Sequence, residues 1–300
     1  MATTVSNINV AMVEDRVIPA LRLVLPILRA FSYVMEQDDK IKNDTTYVPA
    51  ATDPTVGNKT AGTMTTAGGT IAGTLVTLNR FRSAAWDAVE GAMRGSLFES
   101  YWADKAAGAV YVLAKDVIDY ALSLVTASNF GNTSSDKLAV APADFGQSDA
   151  AELWGKAEDK IKRQEKVFMM NTAYATALFG NSNLALIYAN AGSNFLESGQ
   201  LPRFLGLGQM HYSGLPSNSQ NLGGVILGRG AIGVALAMHS QLMSSGEGNV
   251  IDRRKIVDPD SGIGVVYTVI ADGGGTVEGE CSLLYGASKI QDAAVRLVTA

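Results

Sequence analysis

The 300-residue sequence carries one cysteine, Cys281, and two histidines, His211 and His239. A lone cysteine excludes an intrachain disulfide and a thiolate metal cluster. Its setting, EGECSLLYG, has strand character, so Cys281 reads as a small apolar filler rather than a nucleophile. Neither histidine has a carboxylate at ligand spacing beside it, and no metal site is expected. Charge is scarce too: 18% of residues are Asp, Glu, Lys or Arg, where about a quarter is usual. Much of the surface is therefore expected to face protein rather than water. The net charge of −5 argues against a chain whose main work is gripping phosphate backbones. Uninterrupted apolar runs of membrane length are missing, since the stretch from Val17 to Val34 is broken by Pro19, Arg22, Pro26 and Arg29. The opening MATTVSNINV has no basic start leading into an apolar segment, so no secretory signal is expected. The sequons at Asn43, Asn58 and Asn132 then carry no glycosylation meaning, and a reducing cytoplasm is the expected setting.

One motif raises a cofactor question. VILGRGAIGVAL, Val225 to Leu236, contains Gly228-x-Gly230-x-x-Gly233 after an apolar run, the pattern of a dinucleotide-binding loop. That loop needs a helix opening at the glycines and an acidic residue ending the next strand about 20 residues on. After Gly233 only VALAMHSQLM precedes the break at SSGEGN, and Asp252 and Asp258 lie among charges and turn residues. Glycines at close strand contacts explain the pattern better, and no cofactor is expected. GNKT at Gly57 lacks the spacing of a phosphate loop, no G-x-S-x-G elbow occurs, and DPDSG around Asp258 and Asp260 reads as a turn. No catalytic constellation emerges, so the chain reads as structural and not as an enzyme.

What is present is organisation. AMVEDRVIPALRLVLPILRAFSYVM has helical apolar spacing with two prolines seven apart, consistent with short kinked helices or an extended arm lying on a neighbour. Its apolar content requires a cover. From about Pro49 to Thr77, Thr, Gly and Ala dominate and only Asp53 and Lys59 are charged. Strand-like flanks, TTYVPA and GTLVTLNRF, make this a long β-hairpin with a glycine-rich tip, a plain disordered linker being the other reading. Apolar positions Val110, Leu113, Ala114, Val117, Ile118, Ala121, Leu124 and Val125 fall on one helix face, predicting a helix over about 100–127. Ser148 is placed to cap a second helix, SDAAELWGKAEDKIKRQEK. KVFMMNTAYATALFG follows as a strand and a short helix ended by Gly180. GIGVVYTVIADGGGTVEGECSLLYG reads as two strands joined at Gly273-Gly274-Gly275, and ASKIQDAAVRLV closes the chain.

This order resembles the major capsid proteins of tailed bacteriophages, the Hong Kong 97-like family. The resemblance implies an α+β fold with an N-arm over 1–36 and an E-loop hairpin over 37–80. It places the first part of a peripheral P-domain over 81–147, with the spine helix at about 100–127. An axial A-domain would span 148–247, and P-domain return strands 248–300. It further implies self-assembly into an icosahedral shell around double-stranded DNA, built from hexamers and pentamers of one chain. The product would be a virion component assembled in the host cytoplasm, with no membrane. Because the arm begins directly at Met1, scaffolding is expected from a separate protein, alongside a portal and possible cement proteins. Val17, Leu21 and Val24 of the arm, and Lys59, Thr63 and Ile71 of the hairpin, are the expected intersubunit contacts. Some relatives join an E-loop lysine to a neighbour's asparagine; Lys59 lies near the tip, but no matching asparagine or glutamate is evident. Other readings are an encapsulin-type cargo compartment of the same fold, a phage tail-tube protein, and a nucleotide-binding enzyme using the Gly228 loop.

Overall fold

A computed structural model describes residues 10–51, 71–89, 96–162, 164–180, 207–215, 219–239, 250–272 and 276–300. The first element, α1 (Val10–Phe31), is one helix of 22 residues, neither a kinked series nor an extended arm. Its buried residues, Val13, Val17, Leu21, Val24, Leu28 and Phe31, recur every three or four positions and so share one stripe. Pro19 and Pro26 sit on the exposed side of the helix, as do Asp15 and Arg22 four residues before them. The carbonyls that each proline leaves unbonded therefore fall where water can reach them.

The long helix α2 (Ser96–Ser123) has 28 residues, about 42 Å at 1.5 Å per residue. It starts and stops four residues earlier than its periodicity suggested, with the expected apolar face turned inward: Val110, Leu113, Val117, Ile118 and Ala121 are all buried. α1 packs along α2, and both lie on a six-stranded sheet.

That sheet is built around β12 (Thr276–Lys289). β11 (Gly264–Asp272) pairs antiparallel with its first half and β9 (Ile232–His239) with its second. β4 (Arg80–Val89) runs antiparallel along β12, and Leu284 and Tyr285 pair with both β4 and β9. A residue with two strand partners has one on each side, so β4 lies on the opposite side of β12 from β9. β10 (Val250–Val257) extends the sheet beyond β11, and β1 (Ser32–Lys40) pairs parallel with β9. Trp102 of α2 anchors the helix to the sheet: its indole N–H donates to the Tyr267 hydroxyl at 2.6 Å, and its ring meets Trp86 edge-on at 5.4 Å. Tyr285 donates to Asp116 one turn before Tyr120.

The second sheet runs β5 (Lys137–Ala139), β13 (Ala294–Val298), β8 (Leu222–Gly228), β6 (Lys166–Met170), β7 (Gly208–His211). β8 and β13 are buried at every position, the signature of strands covered on both faces. α3 (Ala127–Phe130), α4 (Gln147–Lys160) and α5 (Thr172–Phe179) complete the chain's helices among the described residues. The cap of α4 differs from expectation. The helix opens at Gln147, and the Asp149 carboxylate, not Ser148, accepts the Gly146 N–H at 2.9 Å. It also ends at Lys160, short of the basic KRQEK run. Lys160 reaches Asp136 at 2.7 Å, and the hydrogen bonds from Lys160 and Thr133 hold that carboxyl down at about 2.

The linear partition into 148–247 and 248–300 needs correction. β9 belongs by sequence to the first segment yet pairs with β12 in the six-stranded sheet, and β13 belongs to the second yet pairs with β8 and β5. Besides the passage from β4 through α2 and α3 to β5, the chain passes directly from strand to strand between the sheets twice, at Arg229–Ala231 and at Ile290–Ala293, and these two crossings are hydrogen-bonded side by side. Gly228 N–H donates to Ala293 O at 2.9 Å and Ile290 N–H to Ala231 O at 2.9 Å.

Candidate assembly surfaces

The arm helix is held to the sheet by two arginines seven residues apart, hence on one side of the helix. Arg22 donates from Nε and Nη2 to one oxygen of Asp258, at 2.9 and 2.7 Å, and its Nη2 also lies 2.6 Å from Asp260. Arg29 donates to the Ser261 carbonyl at 2.8 Å and to Glu36 at 3.1 Å. The receiving DPDSG segment is the turn expected from sequence: Gly262 N–H donates to Asp258 O at 2.8 Å, and Gly262 has φ +73°. A side chain there would be strained and would collide with Glu36. Asp258 is only 2% exposed. Burial pushes its carboxyl up, but hydrogen bonds from Ser261 and Arg22 outweigh that and hold it below the usual carboxylate range. Burial has the upper hand at Glu36, whose carboxyl is raised despite Arg29. Glu36 lines a cavity of about 170 Å³ beside this turn, with Met238 and Gly264.

This arrangement corrects part of the expected contact set. Val17, Leu21 and Val24 are covered by this chain's own α2 and sheet, so no neighbour is needed to remove them from water. What α1 presents outward instead is Leu23, 68% exposed. The latch residues Arg22, Arg29 and Asp258 were missed by sequence reasoning. The available signal was the pair of arginines at a helical repeat inside an otherwise apolar stripe.

The hairpin is present as β2 (Thr45–Ala51) paired antiparallel with β3 (Ile71–Thr77). Its connecting tip, including Lys59 and Thr63, lies outside the described residues. Ile71 opens β3, its backbone in register with Ala51. Alternation divides the hairpin into two faces. The inner one, Val48 and Val76 with Leu78 just beyond, packs on Ala235, Ala237 and Leu284 of the six-stranded sheet. The outer one carries Tyr47 and Leu75, directly opposite each other and 49% and 61% exposed. The Tyr47 ring lies across Gly73, where a side chain would have no room.

The Gly228–Gly233 motif is the sheet-to-sheet crossing. The residues after it, Ile232–His239, form a strand, and a dinucleotide loop requires a helix there. The space at the glycines is already occupied. A Cβ on Gly228 would meet Gln164 and Ile161, and one on Gly233 would meet Ile290 at 2.5 Å. Gln164 also accepts the Gly230 N–H at 3.1 Å and donates to Gln291. Cys281 is fully buried in β12, and burial pushes its thiol up, away from the nucleophilic thiolate. His211 is exposed at the end of β7, with its Nε2 3.0 Å from the Thr172 hydroxyl. Among the described residues no group of three His, Cys, Asp or Glu side chains stands together as a metal site, and no helix is long and apolar enough to cross a membrane.

No protein-family model and no curated protein sequence matches this chain. Solved structures do. The capsid of cyanophage P-SCSP1u superposes with a TM-score of 0.54 at 12% identity, over 91% of this chain and 88% of that one. The mature capsid of bacteriophage PhiM1 gives 0.52 at 11% identity, over 91% and 86%. This is the tailed-phage capsid fold. The Hong Kong 97-like architecture also extends to a virus-like particle from Pyrococcus furiosus, at TM-score 0.51 and 13% identity over 95% of this chain and 97% of that one. At such identities the likeness is one of backbone path, and the residues described above are this chain's own solution to filling it.

Proposed function

We propose that this chain is the major structural subunit of an icosahedral shell enclosing the double-stranded DNA of a tailed phage. The observation that carries this reading is the extent of the fold match, which spans about nine tenths of both chains. The filled Gly228 loop and the buried Cys281 thiol support a subunit that is not an enzyme. Copies of the chain associate as hexamers and pentamers, with separate scaffolding, portal and cement proteins, inside the host cytoplasm and then in the virion. The hairpin is the principal contact element, through Tyr47 and Leu75, through Ile71 at the start of β3, and through the tip bearing Lys59 and Thr63. Mild overall acidity suits a container wall that does not grip its packaged DNA.

Negative-stain electron microscopy of the purified chain, alone and coexpressed with a candidate scaffold, tests the reading. Closed shells or capsomer rings are expected, and a monodisperse monomer or dimer under both conditions overturns it. A second reading, a cargo compartment of the encapsulin type, is favoured by the match to the Pyrococcus furiosus particle, which covers nearly all of both chains. The contents separate the two: packaged DNA supports a phage head, and a copurifying enzyme supports a compartment.

A further inference from the structure

The cavity beside the arm latch follows from the way two strands share β12. β9 and β11 both pair with β12 on the side away from β4, and there they lie end to end. Ser282 is the last residue of β12 matched to β11, and Leu284 is the first matched to β9. The gap falls between Met238, near the end of β9, and Gly264, where β11 begins. Two glycines keep it open: a Cβ on Gly264 would come within 3.0 Å of the Met238 sulfur, and one on Gly262 would strike Glu36 Oε2. Leu236, Ala237, Met238 and Ile263 make the walls. Among the described residues Glu36 is the only charged group in the lining. Its side chain is half-buried and Gly262 is exposed, so the cavity opens to solvent.

The Glu36 carboxylate is not fully compensated within the chain. Arg29 donates to its Oε1 at 3.1 Å but also serves the Ser261 carbonyl, and Oε2 lies on the Gly262 side. Burial, with a smaller push from the negative charge of Asp258, holds the carboxyl above its ordinary value in spite of Arg29. Arg22, the other guanidinium at the turn, is engaged by Asp258 and Asp260. Glu36, Asp258 and Asp260 thus share Arg22 and Arg29, which leaves one negative charge over. No second carboxylate lines the cavity, so a divalent cation, which takes several oxygen ligands, does not suit it.

We propose that this cavity binds a small primary alkylammonium, with its cationic head on Glu36 Oε2 and its carbon chain against Leu236, Met238 and Ile263. The volume of about 170 Å³ lies below the roughly 300 Å³ at which pockets for drug-sized ligands begin, so the ligand has few heavy atoms. An ammonium group has three donors and no acceptor, which matches a carboxylate, and an apolar stem covers wall that water would otherwise wet. The bound ligand touches β1, β9 and the turn that receives the arm, so it stabilises the folded subunit by mass action. The site belongs to the single subunit and stands apart from the shell reading.

The test titrates the full-length protein with butylammonium at neutral pH. Binding is followed by calorimetry and by the methyl resonances of the methionines, Met238 being assigned through Met238→Leu. Saturable binding with a Kd on the order of millimolar is expected for a ligand of this size, and the Met238 methyl should shift along the same curve. Butanol, which keeps the chain without the charge, and ammonium chloride, which keeps the charge without the chain, should each bind at least about tenfold more weakly. Glu36→Gln should weaken butylammonium by at least about tenfold and leave butanol unchanged. The affinity should also fall as pH drops toward about 4, because Glu36 then takes up a proton and loses its charge. A cavity that holds water only gives no saturable binding and overturns the proposal. Butanol binding as tightly as butylammonium overturns it as well, as does unchanged binding to Glu36→Gln. If Glu36→Gln fails to fold, the wild-type titration decides, and a Met238 methyl that stays in place at saturating butylammonium overturns the site.

Discussion

The arm helix and the hairpin look alike in composition and end differently. Both are rich in apolar residues, although α1 also carries Glu14, Asp15, Arg16, Arg22 and Arg29 while strands β2 and β3 carry no charge. α1 concentrates its apolar residues on one stripe, and α2 covers that stripe within the same chain. The hairpin distributes its apolar residues over both faces: Val48 and Val76 go inward, Tyr47 and Leu75 outward. A single sheet beneath it can cover only one of them. Apolar content therefore says that a cover is needed; periodicity says whether one chain can provide it.

The sharpest way to break this comparison is to make α1 behave like the hairpin. Leu21→Ala should lower the unfolding free energy of the isolated subunit by about 2–5 kcal/mol in urea titration, as expected for a fully enclosed side chain. A change below about 0.5 kcal/mol would mean that α1 does not rest on α2 in solution. Gly233→Ala probes the hairpin's seat, where a new methyl would press on Ile290 and Val48. A loss of about 1–3 kcal/mol is expected, with no thermal shift from nicotinamide or adenine nucleotides in either protein. Asp258→Asn removes the arm's ionic anchor and should lose about 1–3 kcal/mol at neutral pH. The acid limb gives the sign. Because Asp258 titrates below its ordinary value of about 3.9, its contribution is complete above that pH and fades as pH falls beneath it. The wild type should therefore lose stability there more steeply than the variant, and coincident acid limbs would remove the latch from the account. The smallest effect on stability is expected from Tyr47→Ser with Leu75→Ser, within about 0.5 kcal/mol for the subunit. Shell yield should nevertheless fall, and normal shells would show that the outer face of the hairpin meets nothing.

Local order was readable where the pattern was local. The α2 face, the hairpin flanks, the β6–α5 unit and the β11–β12 pair all follow from spacing over fewer than 30 residues, and the order of these pieces pointed to the capsid fold. The division between the sheets was not readable. LGGVILG and AVRLV are apolar throughout, so nothing in either segment says which strand it joins. The latch escaped for a related reason, since Arg22 and Asp258 are 236 residues apart. The arm contacts were misread because an apolar stripe announces burial without naming the surface that provides it.

The paired crossings between the sheets have a mechanical consequence. One strand-to-strand passage would tie the facing strand ends at a single point. Two passages, tied by the bonds from Gly228 to Ala293 and from Ile290 to Ala231, make a ribbon. A ribbon flexes across its flat side and resists both twist and in-plane shear. Here the ribbon is reinforced by a third covalent path, from β4 through α2 and α3 to β5, and by a buried core continuous across both sheets, so the two sheets are braced as one body.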